Sequence, residues 1–84
     1  MTVYLTLIPG EPQRVDDGLG VEAVEIVEKR LMSGEAMMRV GLRLTTADGE
    51  AWLDFTSLEP VREWRGRRFR YLGGWRSELR LAID

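Results

Sequence analysis

Val21-Glu22-Ala23-Val24-Glu25-Ile26-Val27-Glu28-Lys29-Arg30-Leu31-Met32 decides between two folds. Read as a strand, it is rich in the β-branched residues that suit a pleated surface: Val21, Val24, Ile26 and Val27. Read as a helix, it spaces Val21, Val24, Glu28 and Leu31 in steps of three and four, with Ala23, Ile26 and Val27 nearby. Asp17 or Gly20 would then begin the helix. Alternation is imperfect, because the adjacent Ile26 and Val27 point to opposite faces of a strand. Ser33-Gly34 follows at once and fits a hairpin turn. The balance favours a strand, with a bulge absorbing the misfit. A helix over 21–32 is the alternative. It would make the domain α+β and would cover one sheet face.

The segments on either side alternate more cleanly. Met38, Val40, Leu42 and Leu44 fall on one face, and Arg39, Gly41, Arg43 and Thr45 on the other. Asp48-Gly49 is a hairpin signal, and beyond it Ala51, Leu53 and Phe55 oppose Trp52 and Asp54. Upstream, Val3, Leu5 and Leu7 oppose Thr2, Tyr4, Thr6 and Ile8. Pro9-Gly10-Glu11-Pro12 ends that strand, because neither proline donates to a ladder. Gln13 to Val15 offers a short second pairing, and Asp16-Asp17-Gly18-Leu19-Gly20 reads as a turn cluster.

Towards the C-terminus, 56–65 breaks the pattern. Ser57 is placed to cap a short helix with Leu58, Glu59 and Pro60 in its first turn, and Val61 and Trp64 on one side. Arg67 to Leu72 resumes as a strand, Gly73-Gly74 turns, and Trp75 to Ile83 alternates again. The sum is a single all-β, mainly antiparallel domain over 1–84. It is a small barrel or two-layer sandwich of about five to six strands, with one short helical turn near 57–65.

Composition narrows the chemistry. Hydrophobic residues make up 44% and charged residues 31%, a balance that supports a packed core in water rather than a disordered chain. Cysteine and histidine are both absent. That removes disulfides, thiolate nucleophiles, the commonest transition-metal ligands and the usual general base near neutral pH. Asp16-Asp17-Gly18 and Asp48-Gly49-Glu50 lack the ligand spacing of a calcium loop, and no glycine pattern forms a phosphate loop. The expectation is a protein that is not an enzyme and takes no metal and no cofactor. No run approaches the ~20 apolar residues that cross a bilayer, and the first residues lack a basic start with a long apolar stretch. A cytoplasmic protein with no membrane partner is expected.

Charge is divided along the chain. Residues 1–60 hold five basic and eleven acidic side chains, whereas 61–84 hold seven arginines against Glu63, Glu78 and Asp84. Arg62, Arg65, Arg67, Arg68, Arg70 and Arg76 are interleaved with Trp64, Phe69, Tyr71 and Trp75. With Trp52 and Trp64, these arginines form the candidate surface for a partner. Protein contact or self-association is the first reading. Nucleic-acid binding through 62–76 is the alternative, with arginines on phosphates and aromatics on bases. Against that alternative, a strand sets Arg68 and Arg70 on one face and Phe69 and Tyr71 on the other, and the sequence pI is near 5.2.

Overall fold

The alternating segments are strands, and the bistable one joins them. In the computed structural model, which describes residues 2–15, 20–31, 38–74 and 78–84, eight strands follow in order. They are β1 (Val3–Leu7), β2 (Gln13–Arg14), β3 (Ala23–Leu31), β4 (Met38–Thr46), β5 (Gly49–Thr56), β6 (Val61–Trp64), β7 (Arg67–Gly73) and β8 (Leu79–Ile83). No helix occurs among the described residues. Of the turn cluster expected over Asp16–Gly20, residues 16–19 lie outside them, as does the turn expected at Ser33-Gly34.

Two antiparallel four-stranded sheets form the domain, in the orders β1-β8-β7-β6 and β2-β3-β4-β5. Within each sheet, sequence neighbours pair as hairpins, and β1 joins the first sheet by pairing with β8. The chain passes between the sheets twice, from β1 to β2 and from β5 to β6, and no ladder spans either passage. At the first passage Gly10, in the left-handed region at φ 82°, donates its N–H to Ile26 O at 3.3 Å.

Within the 21–32 segment, Ala23–Leu31 is a strand because its pairing with β4 tolerates one extra residue. Ile26 pairs with Leu42 and Glu28 with Gly41, so Val27 bulges out between them. The bulge resolves the Ile26–Val27 conflict: Val24 and Ile26 are buried while Val27 is exposed. Val40, Leu42 and Leu44 face the same core, with Phe55 from β5 and Leu7, Phe69, Leu79, Leu81 and Ile83 from the other sheet. Burial of each such side chain stabilises by about 1.5–3 kcal/mol. At the β4–β5 hairpin the buried Thr46 hydroxyl donates to Gly49 O at 2.9 Å and accepts from Asp48 N at 3.2 Å, so the turn leaves no orphan there.

Two expectations need correction. The count rises from about five to six to eight, because β2 and β6 are strands in their own right. The short helical turn near 57–65 does not form. Thr56 and Glu59 exchange backbone hydrogen bonds of 3.2 and 3.1 Å, and the Thr56 hydroxyl accepts from Glu59 N at 2.9 Å. The turn is therefore closed before a helix could propagate, and Pro60 has no N–H with which to continue it. Val61–Trp64 then pairs with β7. Arg65 and Gly66 both have positive φ, 47° and 77°, as a two-residue type I′ hairpin requires. Gly66 after Arg65 was the missed signal.

Candidate interaction surfaces

The strand register distributes the arginine–aromatic segment rather than gathering it. Phe69 is fully buried, and Trp64 meets it edge-on with ring centroids 6.2 Å apart and planes at 83°. Tyr71 packs half-buried against the same core, and burial pushes its hydroxyl pKa up. These three rings belong to the inside of the sandwich. Trp75 and Arg76 lie outside the described residues.

The described arginines separate as well. Arg62 shares the inward side of β6 with Trp64 and donates to Glu59 at 2.9 Å in the preceding turn. Arg67 stands directly across from Trp64. Arg65, at the hairpin tip, lies 4.7 Å over the Trp64 ring and reaches Asp48 of the β4–β5 turn at 3.3 Å. That contact ties a hairpin of one sheet to a hairpin of the other. Arg68 and Arg70 point outward from β7, Arg68 opposite Glu63 in register. Guanidinium groups are thus shared between two sides of a sheet and a turn, with acids beside Arg62, Arg65 and Arg70.

Outward-facing residues missed by the sequence reading complete the first sheet. Tyr4, Ala82, Arg70 and Val61 form one row across β1, β8, β7 and β6. Ala82 faces outward by alternation yet is fully buried, since its short side chain lies between Tyr4 and Arg70. Arg70 donates to both carboxylate oxygens of Asp84, and Thr2 donates to the same group at 2.8 Å. These donors hold the Asp84 carboxyl below the usual carboxylate range. The alternation of β1 indicated the outward side of Tyr4. The pairing of the first strand with the last was not readable.

The outer face of the second sheet is organised around Trp52. It projects from β5, is 60% exposed, and stands directly across from Arg43 of β4. Arg43 is drawn towards Glu25 of β3, whose hydrogen bond raises the guanidinium pKa further. Arg39 and Asp54 pair at 3.6 Å one step along the face. Between them Gly41 leaves a shallow position: an added Cβ would meet Asp54 Oδ1 at 3.4 Å and Glu28 Cβ at 3.5 Å. Val27, raised by the bulge, is also exposed on this face.

Among the described residues, no group of three or more acids is placed to hold a metal ion. No helix among them is long and apolar enough to cross a membrane. Comparisons of the chain with protein-family models, curated proteins and solved structures give no match.

Proposed function

We propose that this domain is a non-enzymatic protein-interaction module whose contact surface centres on Trp52. The observation that carries the reading is the position of that ring. A tryptophan 60% exposed in the middle of a regular strand leaves a large apolar area in water, without contributing to the core. Tryptophan and arginine dominate the energetics of protein contacts, and Arg43 lies beside it with its charge already balanced by Glu25. The 84 residues supply neither histidine nor cysteine for catalysis.

The nucleic-acid alternative draws less support. Its stacking platform needs exposed rings beside free cations. Phe69 is buried, Trp64 is engaged by Phe69 and Arg65, and Arg62, Arg65 and Arg70 each hold an acid.

The test is retention of partners from extract on the immobilised domain, wild type against Trp52→Ala, at low and high salt with and without nuclease. A protein retained at both salts and depleted by Trp52→Ala is the expected result. Retained material that nuclease removes, or that falls steeply with salt, would replace this reading with the nucleic-acid one. Equal retention by both forms would remove Trp52 from the surface.

A further inference from the structure

We infer that the free edge of β5 accepts an extended strand from a partner protein, one carrying basic residues four apart on its outer side and apolar residues between them. The inference deepens the proposed function and rests on it.

Four strands lie at sheet edges: β1, β6, β2 and β5. β1 has five residues and runs up to Pro9, β2 has two and β6 has four. β5 has eight, from Gly49 to Thr56, in register with β4 along its whole length and without a bulge. It contains no proline and no lysine. Charged lysines, prolines, bulges and shortness are the devices that keep edges from pairing. β5 has only its two acids. Among the described residues, no backbone hydrogen bond crosses from Gly49–Phe55 to β6, and Thr56 alone bonds into the turn that follows. The backbone groups on that side of β5 are the template for one more strand.

Side chains specify what the added strand carries. On the outer side of β5, Glu50 and Asp54 flank Trp52 and are both exposed. On the inner side, Ala51 and Leu53 are only partly covered by the core. An antiparallel partner would bring one side chain opposite each of these. Basic residues opposite Glu50 and Asp54 gain cross-strand attraction, and apolar residues opposite Ala51 and Leu53 extend the core. A second copy of this chain fits poorly: in the register centred on Trp52 it would set Glu50 against Asp54, and β5 offers no base.

The probe is an acetylated, amidated peptide, Thr-Val-Lys-Val-Thr-Val-Lys-Gly, compared with the same peptide carrying glutamate for both lysines. Binding is followed by calorimetry and by amide hydrogen exchange of the 84-residue protein. The lysine peptide should bind, slow exchange within Gly49–Thr56, and exceed the glutamate peptide by about tenfold or more. In the double variant Glu50→Lys/Asp54→Lys, both on exposed positions, the preference should reverse. Equal binding of the two peptides, protection elsewhere in the chain, or no binding at millimolar peptide would overturn the inference. No peptide binding while Trp52-dependent capture from extract persists would sink strand addition alone. Failure of both would sink the interaction reading with it.

Discussion

Arg70 and Asp84 form a two-pronged pair on the outside of the first sheet, Nε to Oδ2 at 2.8 Å and Nη2 to Oδ1 at 3.0 Å. Thr2 supplies a third donor to the same carboxylate, so three strands or their ends converge on one anion. Such a pair fixes geometry as well as charge.

A pH dependence follows from it. The folded-state pKa of Asp84 is lowered, first by the Arg70 hydrogen bonds and then by Thr2. Its contribution is therefore full above the unfolded value of about 3.9 and is lost as pH falls through the lower folded value. Urea melts of wild type and Asp84→Asn should differ most at neutral pH and converge as pH drops below about 4. Curves that stay parallel down to pH 2 would show that Asp84 is not linked to folding.

The two-sheet core depends on Phe69. Phe69→Ala removes a fully buried ring and the edge contact with Trp64. A loss of about 3–5 kcal/mol is expected, a large share of the about 5–10 kcal/mol of a domain this size. Chemical denaturation gives the value directly. A loss under about 1 kcal/mol would contradict the packing described.

Gly74 is required by backbone contact. At φ 152°, an added Cβ would fall 2.4 Å from Glu78 O and 2.6 Å from Leu79 Cα. Gly74→Ala should cost at least about 1–3 kcal/mol for conformation alone, and more for the clash. Gly10→Ala is the control: its φ of 82° is also strained, but nothing lies within 4 Å of the added atom. Thermal melts should rank Gly74→Ala clearly below Gly10→Ala, and the reverse order would be a failure of the prediction.

Trp52→Ala separates contact from stability. The ring is mostly in water, so the midpoint of unfolding should move by less than about 1 kcal/mol. Retention of a partner should fall in the same variant. A strongly destabilised Trp52→Ala would mean the ring serves the fold instead.

Most of the strand pattern was legible because alternation is a local property. The faces of β1, β4 and β5, the bulge at Ile26–Val27 and the outward side of Arg68 and Arg70 all follow from a period of two. The 56–65 segment was misread because a capping serine and a proline satisfy a helix start as well as a turn, and the pairing with β7 decided the matter. The arginine surface was dispersed for a similar reason. Sequence proximity put Arg62, Arg65 and Arg70 together, whereas inward, tip and outward positions set them apart. Asp84, Thr2 and Tyr4 could not be grouped with Arg70 without the β1–β8 register.

That register also sets an order of events during synthesis. Val3 pairs with Ile83, so during synthesis β1 stays without its sheet partner until β8 has been made. β2 to β5 meanwhile pair with immediate neighbours and close as local hairpins. The nascent chain thus carries a half-finished sandwich, with the apolar side of β1 (Val3, Leu5, Leu7) unclaimed until β8 emerges.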